Sequence, residues 1–512
     1  MPNICRRILR SINRKLCIYV ISVLLPLILA PLAVSPYKES KCAYVLLLVA
    51  SYWLLEPVPI AATALLPVVL FPLLGVVSSA EICSNYMKES FMMFIGGLIV
   101  AIAVEDCMLH ERIALKVLLI IGTEIKWLML GFMLTTMFLS MWISNTATTA
   151  MMVPIVDAVI GKISNVTNIS DIPLEGSNDE SLTESKQVDD REEDKNSVKI
   201  STTEIETSDS RPSVIKVALL LSVCYAANIG GTGTLTGTGP NLVLKGLIEE
   251  LHPESEEITF ATWMMYNVPG MVLCVLTGWF YLWLVYIRCS NVNHNLVSKE
   301  AIKAIISKRY AKLGSMSYHE MEVVILFLIL VGLWIFRDPK FITGWAEAVG
   351  SDTKIGDSVP AIGVAFLMFF VPSNPKDWNS RPILEWKTAQ TKLPWGVILL
   401  IGGGFALADA AQKSGLSKLL GNQLSSLAVM SPGAVVAIIC FMTAMLTEIV
   451  TNTTTATILL PVFDQMAVSI RVNPLYLMLP VSVVCSYAFM LPVATPPNAI
   501  AFESGNMRTV EM

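Results

Sequence analysis

The chain has 512 residues, of which 54% are hydrophobic and 15% are charged, and its mean hydropathy is +0.62. Soluble domains carry roughly 25% charged residues, so this composition excludes an ordinary soluble globular protein and indicates a membrane protein. The formal net charge is −5, and the basic residues form short clusters beside apolar runs, which argues against a nucleic-acid partner. The 10 cysteines include no CxxC pair and the sequence has only 4 histidines, so neither a disulfide framework nor a zinc site is expected.

The first apolar run extends to Val34 and follows five basic residues between Arg6 and Lys15. It is long enough to cross a bilayer, and further apolar runs follow, so we interpret it as the first transmembrane helix and not as a signal peptide. The positive-inside rule then places the N-terminus in the cytoplasm. The predicted crossings are 17–34, 42–56, 58–77, 90–105, 213–228, 263–287, 320–336, 358–371, 393–408 and 475–491.

Two further apolar stretches, 126–160 and 432–470, each carry a polar tip in the middle, which predicts two re-entrant hairpins. Residues 288–318 then lie in the cytoplasm, where their basic residues satisfy the positive-inside rule. Within them, 298–313 are predicted to form an interfacial amphipathic segment. The stretch 161–211 holds 13 Asp/Glu and 6 Lys/Arg. Its low apolar content predicts a disordered cytoplasmic loop over 161–212.

The sequence also contains an internal repeat. The recurring pairs are Ser144–Thr148 with Thr451–Thr455, Ile95–Gly97 with Ile401–Gly403, and Gly237–Asn241 with Ala494–Asn498. The acidic loop is an insertion in the first copy. By the crossing count, the span with Gly96 runs inward and the span with Gly402 runs outward, so the repeats are predicted to be inverted.

Inverted repeats with discontinuous helices are typical of secondary transporters. Gly and Pro in the breaks free backbone carbonyls for a hard cation such as sodium, while helix N-termini and the Asn and Thr side chains of the tips donate hydrogen bonds to an anion. The tips carry no Lys or Arg. A dianionic substrate would therefore be neutralised by co-transported cations, at least two sodium ions. For any one motif alone, the alternative is simple interhelical hydrogen bonding and close packing.

Four motifs carry a resemblance to a known family. They are Ser140-Met-Trp-Ile-Ser-Asn-Thr146, Gly230-Gly-Thr-Gly-Thr-Leu-Thr-Gly-Thr-Gly-Pro-Asn241, Gly402-Gly-Gly-Phe-Ala-Leu-Ala-Asp409 and Leu491-Pro-Val-Ala-Thr-Pro-Pro-Asn-Ala-Ile500. In these motifs the chain resembles the divalent anion/sodium symporters, which are sodium-coupled dicarboxylate, citrate and sulfate transporters, and within them the animal plasma-membrane branch.

The resemblance implies a homodimeric elevator-type transporter with one substrate site between the two hairpin tips and a sodium site at each tip. It implies a first sodium site at Ser140, Ser144, Asn145 and Gly237, and a second at Thr447, Thr451, Asn452 and Ala494. It implies substrate contacts at Asn145, Thr146, Thr238, Asn452, Thr453, Thr495 and Pro496. The family continues into one more span after the last motif, so that final span is expected to be missing from a chain that stops at Met512.

The fold expected from these observations is an all-α polytopic membrane protein with two re-entrant hairpins and two broken helices. Its predicted parts are the N-terminal scaffold spans 1–89, the first transport region 90–160, the acidic loop 161–212, the spans 213–287 with a broken helix at 229–241, the basic segment 288–318, the second scaffold spans 319–392, the second transport region 393–505 with a broken helix at 492–498, and a short tail 506–512.

Three other functions compete with a sodium-coupled carboxylate symporter. An intramembrane enzyme is disfavoured because the sequence has no HExxH, GxSxG or Walker A motif. A sodium/sulfate symporter remains open, and so does a sodium-independent pathway, either a dicarboxylate exchanger or an anion channel. Glu448, one helical turn before Asn452, is an intramembrane acid. We expect it to stand behind the second sodium site or to influence substrate preference, without ligating sodium directly, or else to form a structural ion pair.

Overall fold

The computed structural model describes residues 2–122, 124–170, 214–288, 299–349, 354–377, 379–419 and 430–512. In these residues the chain consists of α-helices joined by short connections, which confirms the predicted all-α fold. Most of the acidic loop predicted at 161–212 lies outside the described residues.

The helices of the first half alternate between long spans and short interrupted segments. They are α1 (Pro2–Val34), α2 (Lys38–Leu55), α3 (Ile60–Thr63), α4 (Leu66–Leu73), α5 (Ser79–Ser84), α6 (Glu89–Asp106), α7 (Leu109–Ile121), α8 (Ile125–Ser140), α9 (Asn145–Ser170), α10 (Val214–Gly230) and α11 (Gly239–Leu251).

The helices of the second half follow a similar order. They are α12 (Phe260–Leu282), α13 (Lys299–Lys312), α14 (Tyr318–Ile335), α15 (Trp345–Ala348), α16 (Ser358–Phe370), α17 (Trp386–Lys392), α18 (Trp395–Ser414), α19 (Pro432–Thr447), α20 (Asn452–Ser469), α21 (Pro474–Cys485) and α22 (Pro496–Gly505).

Five helical segments of the described chain are long and apolar enough to cross a membrane, and the other apolar helices are shorter. The predicted span 58–77 is divided between α3 and α4, with Pro67 at the start of α4. The predicted span 475–491 is too long, because α21 ends at Cys485. Beyond Cys485, the N–H groups of residues 489–491 donate to the side chain of Glu448 instead of continuing the helix, and Pro492 has no N–H group.

Both hairpins appear as pairs of helices, with α8 leading to α9 and α19 leading to α20. In the first half, α8, α9 and α10 pack against one another, and α22 packs against α9 and α10. A smaller apolar cluster joins α2 and α4 to α18 through Trp53, Phe71 and Leu400. The hairpins and the broken helices are thus packed together in the larger core.

Close packing of α10 against α8 depends on Gly230. A Cβ atom there would lie 2.5 Å from the carbonyl oxygen of Met137 and 2.8 Å from its Cα. Small residues at such crossings let helix backbones approach in membrane proteins.

We therefore expect Gly230→Ala to destabilise the protein by about 1–3 kcal/mol, because backbone would have to shift. The matched control is Gly270→Ala in α12, where a Cβ would have nothing within 4 Å. Thermal unfolding of the detergent-purified variants measures the effect. Equal melting temperatures for the two variants would contradict the packing argument.

Candidate functional site

Four helices begin at one cavity of about 810 Å³. The first residues of α9, α11, α20 and α22 are Asn145, Gly239, Asn452 and Pro496, and all four line this cavity. The N-terminus of a helix has backbone N–H groups without intrahelical partners and a partial positive charge of about half an elementary charge. The cavity therefore offers an anion four helix dipoles, and backbone N–H groups mainly from α9 and α20, because α11 has Pro240 and α22 has Pro496 and Pro497 in the first turn.

The first hairpin ends in an oxygen-rich cluster. Ser140, the last residue of α8, is fully buried, and its hydroxyl lies 2.6 Å from Asn145 Oδ1 and 2.8 Å from the carbonyl oxygen of Ala227. A hydroxyl has a single proton, so it donates to one of these two acceptors at a time. An excess of oxygen lone pairs over protons suits a hard cation.

The second hairpin makes the same contacts. Thr447, the last residue of α19, is fully buried, and its hydroxyl lies 3.1 Å from Asn452 Oδ1 and 2.6 Å from the carbonyl oxygen of Cys485. The repeat in the sequence therefore corresponds to a repeat in hydrogen bonding.

The unwound segments of the two broken helices are stabilised by equivalent hydrogen bonds. The Asn241 amide donates to the carbonyls of Gly231 and Thr234 at 3.1 and 2.7 Å. The Asn498 amide donates to the carbonyls of Ala488 and Leu491 at 2.9 and 3.0 Å. Each amide binds carbonyls of the unwound segment before its own helix. The sequence repeat includes both asparagines, but their role becomes visible only in the structure.

The structure brings all the candidate site residues to one place. Those that line the cavity are Ser144, Asn145, Thr146, Gly237, Thr238, Thr451, Asn452, Thr453, Ala494, Thr495 and Pro496. Ser140 and Thr447 lie directly behind the two asparagines. The assignment of each residue to sodium or to substrate stays a prediction.

Charged residues that sequence reasoning missed also line the cavity. They are Glu56, Glu105 and Lys392. The Lys392 ammonium lies 2.9 Å from the Glu105 carboxylate, so its charge is already paired. No local signal marks this pair, because α17 and α6 are far apart in sequence.

Glu448 accepts backbone hydrogen bonds and anchors the second break. Its carboxylate receives the N–H groups of Phe489, Met490 and Leu491 at 2.7, 3.0 and 2.9 Å. The side chain is buried. One expectation was a structural ion pair, but the partners that the structure shows are these backbone N–H groups. Glu448 thus fixes the unwound segment that leads to Ala494 and Thr495.

Comparison with known proteins agrees with this geometry. The family described as "Sodium:sulfate symporter transmembrane region" matches residues 10–512. The chain belongs to this family. It is 42% identical to the Na(+)/citrate cotransporter of Mus musculus, over 96% of this chain and 90% of that protein. It is 39% identical to Na(+)/dicarboxylate cotransporter 3 of Rattus norvegicus and 40% identical to solute carrier family 13 member 2 of Homo sapiens, in both cases over 96% of this chain and 88% of the relative. Membership of this family confirms the resemblance seen in the four motifs.

Glu448 provides a test of the second break. Glu448→Gln replaces one of the two acceptor oxygens by an NH₂ group and removes the charge, so the N–H of Leu491, or those of Phe489 and Met490, lose their acceptor. We expect a loss of about 1.5–3 kcal/mol in stability, which is the usual contribution of a hydrogen bond to a charged group. The melting temperature of the purified protein measures it. Glu503→Gln, on the exposed face of α22, is the matched control. If both variants unfold at the wild-type temperature, Glu448 does not anchor the segment.

Proposed function

We propose that the protein is a sodium-coupled secondary active symporter that carries di- and tricarboxylates, such as succinate and citrate, across the plasma membrane. The observation that carries this proposal is the meeting of four helix N-termini and two oxygen-rich hairpin ends at one cavity. Relatives named as Na(+)/citrate and Na(+)/dicarboxylate cotransporters support the substrate class.

In the proposed site, substrate carboxylates meet the Asn and Thr of each hairpin tip. Asn145 and Thr146 bind from one side, and Asn452 and Thr453 bind from the other. Thr238 and Thr495 add hydroxyl donors from the breaks, and Pro496 lines the wall. Two similar half-sites facing one cavity suit a molecule with a carboxylate at each end.

Sodium would occupy the two hairpin ends. The first site uses Ser140, Ser144, Asn145 and Gly237, and the second uses Thr447, Thr451, Asn452 and Ala494. The electrostatics support cation coupling: of the charged residues in the cavity lining, Lys392 is paired with Glu105 and Glu56 is an acid. A dianion that leaves water costs several kcal/mol per charge unless opposite charge accompanies it, so at least two sodium ions are needed.

We further propose that the two repeats are inverted and that they move by an elevator mechanism within a homodimer, with the N-terminus in the cytoplasm. The repeated hydrogen bonds at the hairpins and breaks support two equivalent halves around one site. The protein would act as a transporter and not as an enzyme. The domain boundaries predicted from the sequence belong to this proposal.

Sulfate is the second candidate substrate, because the family description names it. The hydrogen-bond donors of the cavity serve sulfate and carboxylate equally. The two similar half-sites, one at each hairpin tip, favour a longer substrate with two separated anionic groups. Uptake of labelled succinate, citrate and sulfate by cells that express the chain distinguishes them.

The two asparagines at the hairpin tips test the shared site. We expect Asn145→Ala and Asn452→Ala each to reduce succinate uptake roughly 10- to 100-fold, as expected for loss of a hydrogen bond to a charged group. Surface expression, measured by biotinylation, should stay largely intact. Asn379→Ala, at an exposed position away from the cavity, is the control. Near-normal uptake in either tip variant would refute the two-hairpin site.

Sodium dependence tests the coupling. We expect equilibrium succinate binding to the purified protein to weaken steeply as sodium is replaced by choline, and the uptake curve against sodium to be sigmoidal. Thermodynamic linkage requires that succinate tighten sodium binding by the same factor. Isothermal titration of the purified protein measures succinate affinity across a sodium series and sodium affinity with and without succinate. Equal succinate affinity without sodium would favour the sodium-independent exchanger.

A further inference from the structure

An aspartate follows each hairpin tip at the same spacing and contacts a second helix. Asp464 on α20 comes twelve residues after Asn452, and Asp157 on α9 comes twelve residues after Asn145. Helix geometry places each carboxylate about 18 Å beyond its hairpin tip, well away from the groups proposed to bind substrate. Substrate binding therefore does not explain the contacts of these two aspartates.

Asp464 joins α20 to the far end of α11. Its Oδ1 lies 2.6 Å from Nε2 of His252, which is a short hydrogen bond to the residue that caps the C-terminus of α11. The Asp464 side chain is 1% exposed, whereas that of His252 is 32% exposed. Asp464 Oδ2 accepts a hydrogen bond from Nε2 of Gln465, on the same helix, at 2.8 Å. Within the described residues, His252 is thus the partner through which this carboxylate reaches another helix.

Asp157 makes the corresponding connection in the other half. Its Oδ2 accepts a hydrogen bond from the Ser504 hydroxyl on α22 at 2.9 Å, and its Oδ1 lies 3.0 Å from Nζ of Lys216 on α10. Because α11 follows the first break and α22 follows the second, each aspartate contacts the helix that follows the break of the other repeat. The two halves therefore share a further feature, a polar contact from each hairpin to the opposite repeat.

Helices α11 and α20 also meet at the end that faces the cavity. They pack against each other, and a Cβ atom on Gly239, the first residue of α11, would overlap the side chain of Thr453. The two helices therefore touch near their N-termini and again about 18 Å away, at His252 and Asp464. Two separated contacts fix the angle between two rods as well as their distance, whereas a single contact lets them pivot.

A buried carboxylate restrains the far ends of the helices more strongly than apolar packing does. Apolar side chains in a membrane can exchange one apolar neighbour for another at little cost, because lipid is as apolar as they are. A buried carboxylate that loses its partner is left as an uncompensated charge, which is strongly destabilising. The contact of Asp464 with His252 therefore resists separation of the two helix ends.

We propose that Asp464 and His252 are positioning residues for the substrate site. Their contact fixes the angle between α11 and α20, and with it the direction in which the starts of both helices point their partial positive charge at a substrate carboxylate. Asp157 and Ser504 act in the same way on α9 and α22. The proposal rests on the proposed function, because it concerns substrate carboxylates bound at these helix starts.

Replacement of His252 tests the positioning role. We expect His252→Ala to raise the KM for succinate roughly 10-fold, about the effect of one hydrogen bond to a charged group. Vmax per transporter at the cell surface, counted by biotinylation, should stay close to the wild-type value. His252→Gln should give a KM close to that of the wild type, because the glutamine amide nitrogen can donate to the same carboxylate oxygen.

The matched control is His319→Ala. This histidine is also half-buried, and its Nε2 lies 2.8 Å from the carbonyl oxygen of Ile383. It belongs to α14, which does not begin at the cavity. The KM for succinate should therefore not change, although this variant also loses a hydrogen bond of a histidine.

A double-mutant cycle shows whether the two side chains act together. Asp464→Ala/His252→Ala should raise the KM no further than His252→Ala alone. An unchanged KM in His252→Ala, an equal rise in His252→Gln, or independent effects of the two replacements would each overturn the proposal. A merely structural role would lower the melting temperature and the surface expression without changing the KM. If variants with Asp464→Ala do not fold, the comparison of His252→Ala with His252→Gln decides.

The two proposals fail separately. Absence of sodium-dependent uptake in the wild type would refute the symporter. Normal uptake in the wild type together with an unchanged KM in His252→Ala would refute the positioning role alone.

Discussion

The fold requires several helices to end in the interior of an apolar protein. Four helices stop and four begin around the cavity, and each end has backbone groups that the helix itself cannot satisfy. In a membrane no water is available for them outside a cavity, so the protein must supply partners. Asn241 and Asn498 supply amide donors to freed carbonyls, and Glu448 supplies a carboxylate to freed N–H groups. These side chains make it possible for irregular backbone to exist at this depth.

The same arrangement separates partial positive charge from partial negative charge. The beginnings of α9, α11, α20 and α22 face the cavity with their partial positive charge, whereas the ends of α8, α10, α19 and α21 carry the partial negative charge. Because beginnings and ends are equal in number, the helix dipoles contribute no net charge to the site as a whole. In the proposed mechanism they would position ions without neutralising them. An anionic substrate therefore needs mobile cations, which is the physical basis of coupling in the proposed mechanism.

The sequence predicted the parts of this site that repeat and missed those that depend on one contact across the fold. Polar residues at the tips of apolar hairpins, and Gly and Pro at the breaks, leave periodic signals, so the tips around Asn145 and Asn452 could be found without a structure. The early end of α21 could not be predicted, because it depends on Glu448 reaching three N–H groups about 40 positions away. The Lys392–Glu105 pair is hidden for the same reason. The contact of the almost fully buried Asp464 with the ring of His252, at 2.6 Å, is hidden in the same way.

The differences between the two halves are as informative as their likeness. At the position of Glu448 the first half has Met141, whose carbonyl oxygen accepts a hydrogen bond from the Thr234 hydroxyl at 2.5 Å. A neutral hydrogen bond therefore stabilises the first break. The second break is stabilised by a carboxylate, whose two oxygens accept three hydrogen bonds from backbone N–H groups. A carboxylate next to one hairpin and not the other lowers the electrostatic energy of a cation at that hairpin only, since Coulomb interactions are strong in a medium of low dielectric constant. In the proposed mechanism the two sodium sites would then differ in affinity although their oxygen ligands are of the same kind.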